Sequence, residues 1–181
     1  MHSGLFDIMF LCEPGGDMMN ARLKMTRLGL LSLLILCAGC AGTSNQFVGS
    51  PVAPQQQIIA LQPGGSSADS WQNFDIRIDY QYKRDGDLLE ISGTAELSPR
   101  YEMLYTNLRD LKVFLFFLDD KAHVLEANML ARSLTGRVDE RLRFTKFYKV
   151  PPGTASITFG YDGYVLEMQG GYSFYLLPLG K

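Results

Sequence analysis

Nucleophilic catalysis with a general base needs a histidine, and the chain holds two, His2 and His123. Only His123 lies in the region with a folding pattern, so a Ser-His-Asp arrangement would depend on it alone. It follows a turn, where a solvated edge histidine is the plainer reading. No histidine pair and no HExxH stands at zinc-ligand spacing. Asp85, Asp87, Asp119 and Asp120 carry the oxygen ligands that calcium takes. Their spacing is not that of an EF-hand, and aspartate in a turn has an ordinary structural reason. The 19 acidic residues, less Asp7, Glu13 and Asp17, leave sixteen that always permit a glycosidase-like pair, and spacing selects none of them. Gly170-Gly171 lacks both the GxGxxG pattern and the Lys-Ser/Thr of a phosphate loop. Arg137, Arg141, Arg143, Lys146 and Lys149 form a basic stretch. On a strand Arg141, Arg143 and Lys149 would share one face, either solvated or set against anionic headgroups or an acidic partner. The expectation is a non-enzymatic chain with no catalytic, cofactor or metal residues.

The remaining reactive groups are cysteines. All three, Cys12, Cys37 and Cys40, lie in the first forty residues. A domain built from the rest has no disulfide framework and no thiolate metal site. Cys37 and Cys40 close the one long apolar run, Leu28-Gly-Leu-Leu-Ser-Leu-Leu-Ile-Leu36, which Lys24 and Arg27 precede. No charge follows until Asp69. A basic flank, a short apolar stretch and small residues at its end make a secretory signal. A membrane-spanning helix needs about 20 apolar residues, and Leu28–Gly39 offers 12. A buried core helix would leave the basic flank and the small-residue ending unexplained.

Leu36-Cys37-Ala38-Gly39-Cys40 resembles the lipobox of bacterial lipoproteins. The resemblance covers about sixteen residues. It implies a diacylglyceryl group on Cys40, cleavage between Gly39 and Cys40, and acylation of the new amino group. Cys37 departs from the pattern, which prefers Leu there. Each buried CH₂ adds about 0.8 kcal/mol, and two or more chains anchor stably. Ala41 stands where an Asp would retain such a protein in the inner membrane, so the resemblance points to the outer membrane, facing the periplasm. An ordinary secretory signal cleaved near Ala41 is the competing reading.

Residues 1–17, with Asp7, Glu13, Pro14 and Asp17, are unlike a short basic leader. Met18, Met19 or Met25 would each begin a conventional signal, so residues 1–17 read as a mis-assigned leader and 18–39 as the signal peptide. Residues 40–70 have linker composition, with Pro51, Pro54, Pro63, Gln55-Gln56-Gln57 and Gly64-Gly65-Ser66-Ser67. They read as a flexible tether spanning roughly 30 Å root-mean-square. The sharper alternative is that Ile58–Leu61 adds an edge strand or docks on a partner.

The elements that would position any site lie in residues 71–181. Net charge is −2 over 181 residues, which excludes an electrostatic nucleic-acid binder. A 46% apolar share excludes a wholly disordered chain. Phe74, Ile76, Ile78, Tyr80 and Tyr82 alternate with polar residues, as do Leu89, Ile91, Gly93, Ala95 and Leu97. With Asp85-Gly86 between them these runs predict a hairpin. Ser98-Pro99 opens either a short helix, with Ser98 as N-cap, or an irregular crossover. Leu111–Leu118 is nearly continuous apolar and predicts a central strand covered on both faces. His123–Ala131 is read as a strand over a helix. The phase break between Phe144 and Phe147 suggests a bulge. Pro151-Pro152-Gly153 and Asp162-Gly163 read as turns, and Tyr172–Leu177 as a last strand.

Seven or eight strands with turns about every ten residues predict an all-β domain, either a sandwich or a small barrel. Size and order resemble immunoglobulin-like sandwiches of bacterial envelopes. Val113–Asp119, Val124-Leu125 and Val150-Pro-Pro-Gly153 are loosely similar to FxLYD-type domains, with Leu115, Phe117 and Leu118 where that motif has Phe, Leu and Tyr. The functional expectation is a lipid-anchored envelope module that binds a protein partner and no nucleic acid. The alternative is a ligand-binding or hydrolytic domain acting on lipid or glycan. Intact-mass spectrometry should find a mature chain starting at a lipidated Cys40 and, with the signal peptidase blocked, a precursor starting beyond residue 17. A water-soluble product with a bare Cys40 thiol refutes the anchor.

Overall fold

The computed structural model describes residues 44–167 and 170–178. Gly39 and Cys40, with the lipidation and cleavage expectations they carry, lie outside these residues. The described chain is an all-β sandwich of two antiparallel sheets. Its strands are β1 (Ile59–Ala60), β2 (Ser66–Gln72), β3 (Ile76–Asp85), β4 (Leu88–Leu97), β5 (Asn107–Leu118), β6 (Val124–Ser133), β7 (Gly136–Arg137), β8 (Leu142–Lys149), β9 (Ser156–Glu167) and β10 (Gly170–Leu176). Among the described residues one α-helix, α1 (Pro99–Leu104), joins β4 to β5, and a 3-10 turn (Ser44–Phe47) precedes β1. One sheet runs β2-β3-β4-β8; the other runs β1-β9-β5-β6, with β10 also on β9 and β7 on β5. Each sheet keeps its own edges, so no barrel closes.

The hairpin β3–β4 forms as its alternation requires. Ile76, Ile78, Tyr80 and Tyr82 point inward, and Gly86 turns the chain at φ +59°. Leu89, Ile91, Ala95 and Leu97 return on the same inner face. The opposing sheet offers Leu111, Val113, Leu115, Phe117, Ile157 and Phe159, and the two faces share one core. Trp71 and Tyr80 meet Phe159 across it, ring centroids 5.8 and 5.2 Å apart. Fully burying a side chain of this kind contributes about 1.5–3 kcal/mol.

β5 is the central strand that its composition requires. Leu115, Phe116, Phe117 and Leu118 are all fully buried. Leu115 and Phe117 face the main core, while Phe116 and Leu118 face outward into a second cluster with Phe47 and Val52. The outer cover therefore comes from the segment that composition marks as a flexible tether. From Phe47 to Leu61 the chain is packed on the sandwich, and Ser66–Gln72 is strand, so the free spacer through residue 70 is corrected. The cover is pinned along its length. Gly49 N–H donates to Val124 O (2.8 Å), Val124 N–H to Ser50 O (3.0 Å) and Val52 N–H to Ala122 O (3.1 Å). Buried Gln56 donates from Nε2 to Phe159 O at 2.6 Å. Gln57 O accepts from Thr158 Oγ1 (2.7 Å) and Trp71 Nε1 (3.1 Å), and Leu61 O from Arg84 Nη1 (3.1 Å). Backbone without a regular ladder is thus satisfied by side chains. Ile59–Ala60 adds a short edge strand on β9, as the sharper reading has it.

Other expectations change for local reasons. Asp162-Gly163 is not a turn: it lies inside the twelve-residue β9, where Gly163 leaves room for the Phe174 ring that a Cβ would strike. The bulge expected in β8 is absent, because β8 pairs with β4 without a register shift from Leu142 to Lys149. Phe147 is exposed simply because β8 is an edge strand whose odd positions face solvent. The irregularities fall in β5, between Val113 and Phe114, Phe117 and Leu118, and Leu108 and Asp110. Ser98 sits at the N-cap of α1 without a side-chain cap bond. Phe74 is exposed rather than core, since Asn73 N–H donates to Ile76 O and β3 begins only at Ile76. Phe47→Ala should lower stability by about 3 kcal/mol, the scale of a buried aromatic truncation. A leftward shift of the urea midpoint checks it, and an unchanged midpoint shows that the segment contributes no cover.

Candidate functional site

The residues singled out by type do not come together. His123 Nδ1 stands 3.6 Å from Asp119 Oδ2 in the β5–β6 turn, and no described hydrogen bond joins it to a hydroxyl. Asp119 builds that turn: its Oδ1 accepts from the N–H groups of His123 (2.8 Å) and Lys121 (2.9 Å). These backbone donors hold its carboxyl below the ordinary carboxylate value. Among the described residues no group of three or more His, Cys, Asp or Glu could hold a metal ion. The basic stretch is divided. Arg137 pairs with Asp139 (2.9 Å), Arg141 with Glu96 (2.8 Å) and Lys149 loosely with Asp87 (3.9 Å). Arg143 and Lys149 share the outward face of β8, while Arg141 precedes the strand.

The polar centre of the molecule is instead Asp75, just before β3. Its Oδ1 accepts from Tyr101 OH (2.7 Å) and from Arg100 Nη2, and its Oδ2 from Tyr161 OH (2.7 Å). Tyr161 OH also lies 2.9 Å from Asn73 Oδ1. One carboxylate thus joins helix α1 to the loop before β3, in one sheet, and to strand β9, in the other. Burial and the bond to Asp75 push the Tyr161 phenol far above its ordinary value, and burial and Asp75 do the same to Tyr101. Both phenols therefore keep their protons well into the alkaline range. No spacing rule could find it, because Asp75 reads in sequence as one more outward polar residue of an alternating strand.

Around this node the surface is aromatic. The Arg100 guanidinium lies over the exposed Phe74 ring, 3.4 Å from its centroid. Tyr105 stacks on Tyr172 at 6.4 Å, and Tyr101 lies 5.9 Å from Tyr105 beneath them. On α1, Met103 is 79% and Leu104 59% exposed, and Phe74 reaches 73%. These exposed apolar side chains lie beside the fixed polar node.

Two grooves cross the outer face of the four-stranded sheet. One, of about 390 Å³, is lined by Ser66, Ala68, Gln81, Lys83, Glu90 and Ser92, and the other, of about 400 Å³, by Ala68, Asp69, Asp79, Gln81, Ser92 and Thr94. Burial pushes Asp79 up, but bonds from Ser70 and Arg77 outweigh it and hold its carboxyl below the ordinary value. On the opposite sheet Asp110 and Asp162 share Lys112 at 3.1 and 3.4 Å, and Arg132 also binds Asp110. These carboxylates are neutralised in place. No known protein family, curated protein or solved structure matches the chain.

The node sets a pH dependence. The fold keeps Tyr101 and Tyr161 neutral to higher pH than the unfolded chain, whose tyrosines titrate near 10. Their contribution is whole below pH about 10 and is lost as pH rises through the raised folded values. Burial also lifts Tyr148 to about 12. Urea midpoints measured from pH 8 to 12 should be flat and then fall. Tyr161→Phe should cost about 1–3 kcal/mol at pH 8, leaving a buried acceptor short of a donor, and should flatten the alkaline fall. An unchanged alkaline slope refutes the assignment.

Proposed function

We propose that the protein is a lipoprotein of the bacterial envelope, held in the outer membrane by lipid on Cys40 and facing the periplasm. Its sandwich acts as a non-enzymatic protein-binding or accessory module of an envelope complex. The observation that carries this reading is the exposed aromatic end formed by Phe74, α1, Tyr105 and Tyr172. Aromatic residues and Met over a desolvated centre are what protein interface cores use. The end is also preorganised. Tyr101, on which the patch rests, is locked by Asp75, so little ordering is left for a partner to impose.

Action on lipid or glycan is the second reading, and the groove holding Asp69 and Asp79 is its best location. A glycosidase acid must keep its proton near neutral pH. Asp79, held ionised beside Arg77, suits the role poorly.

A photocrosslinker at Met103, activated in native membranes, should yield a discrete protein adduct, and the same group at Ser67 on the far edge strand should not. Adding Leu104→Asp should abolish the Met103 adduct while the urea midpoint holds. A Met103 probe that captures no protein refutes the binding-module reading.

A further inference from the structure

The packed segment Phe47–Leu61 changes what a lipid on Cys40 would do. A thirty-residue tether would let any face of the domain meet the bilayer. Only six residues separate Cys40 from Phe47, and because Ser44–Phe47 is wound into a 3-10 turn the seven peptide units span at most about 20 Å. Phe47 is fixed: its ring meets Phe116 at 5.5 Å and Phe114 at 6.3 Å on the outer face of β5. The next residues pair with the edge of β6 at Val124 and with the turn carbonyl of Ala122. The chain therefore joins the sandwich over the second half of β5 and runs on to the turn where β6 begins.

The aromatic end lies at the other end of the same strand. Tyr172 pairs with Val165, and Val165 with Leu108 near the start of β5. From Leu108 to Phe116 is eight residues, roughly 27 Å of strand. The leash is no longer than this separation.

We infer that the strap Phe47–Val52 orients the domain on the membrane. The turn Asp119–His123 lies toward the lipid surface, and the end bearing Tyr105, Tyr172 and α1 is held away from it. This inference rests on lipidation of Cys40 as proposed above, and it adds the partner's position. The partner presents its binding surface outside the bilayer, roughly one domain length from the headgroups, as an extramembrane protein does. The strap end is not an insertion surface. Asp119 and Asp120 stand there beside Lys121 and His123, and carboxylates at an anionic bilayer favour standing off over burial.

The two tips of the β6 hairpin test the orientation. Asp120 is exposed before β6, and Leu134, 60% exposed, follows it. With Cys37 removed with the signal and Cys40 lipidated, Asp120→Cys and Leu134→Cys each give one labelling site. Lipidated protein in phosphatidylethanolamine–phosphatidylglycerol vesicles carries a donor at either site, with an acceptor on the lipid headgroups. Energy transfer from position 120 should exceed that from 134 by about two-fold or more, given roughly 30 Å of strand between them. A ten-residue Gly/Ser insertion after Thr43 leaves the packed segment intact and should shrink the difference. Equal transfer from the two sites, in protein shown by mass to be lipidated, overturns the orientation and leaves the anchor standing. An asymmetry that survives the insertion also overturns the strap as its cause. A bare Cys40 thiol overturns the anchor itself.

Discussion

A strand that is apolar on both faces cannot end a structure; something must cover each side. Leu115, Phe116, Phe117 and Leu118 impose that demand on this chain. The inner side is met by the four-stranded sheet. Among the described residues the outer side has no third sheet, and Phe47 from the 3-10 turn Ser44–Phe47, Val52 and half-buried Leu177 provide the cover instead. From this requirement follow the fixed course of residues 47–61, the capture of their carbonyls by Trp71, Arg84 and Thr158, and the edge pairing of the segment with β6. Ala122, which takes φ +60° without being glycine, is held where its carbonyl receives Val52. A local backbone cost of this kind persists when its surroundings over-determine it.

The second tie is electrostatic. Sandwich sheets are joined by dispersion and burial, which resist separation but permit sliding. Asp75 adds three directional bonds, two from α1 and one from β9, to one carboxylate, and this fixes the relative position of β3, α1 and β9. A half-buried carboxylate is costly unless its lone pairs are filled. Two phenols and a guanidinium fill them, and Arg100 is steadied in turn by its stack on Phe74. The same arrangement gives the exposed tyrosines a rigid floor, so the interaction that registers the sheets also shapes the proposed contact face.

The first tie lies over the second half of β5, at Phe114–Leu118, and the second over its middle, where Tyr161 pairs with Val113. One receives the N-terminal segment, and the other carries α1 and its aromatic neighbours. On the proposed reading the domain is a spacer as well as a binder: its long strands separate an anchoring end from a recognising end. The polar groups elsewhere belong to this architecture. Asp110, Lys112, Asp162 and Arg132 lace the outer face of the six-stranded sheet, where cross-strand pairs of opposite charge stabilise neighbouring strands.

Sequence alone determined the elements whose information is local. Alternation with period two placed the β3–β4 hairpin around Gly86, the apolar run Leu111–Leu118 announced a central strand, and Pro151-Pro152-Gly153 marked a turn. Charge and apolar length also marked Leu28–Gly39 as a signal, and resemblance to a lipobox singled out Cys40. Tertiary structure alone decided the rest, because those features depend on partners far along the chain. Proline- and glutamine-rich residues 47–61 look like linker by composition, and they become cover only because Phe116 and Leu118 need one. Asp162-Gly163 has turn chemistry, yet the ring of Phe174 needs the space at Gly163 and the strand runs on. Asp75 and Tyr161 lie 86 positions apart, and no local pattern distinguishes either residue from its neighbours. Periodicity reports which face a side chain takes; only the packing of two sheets reports what that face will meet.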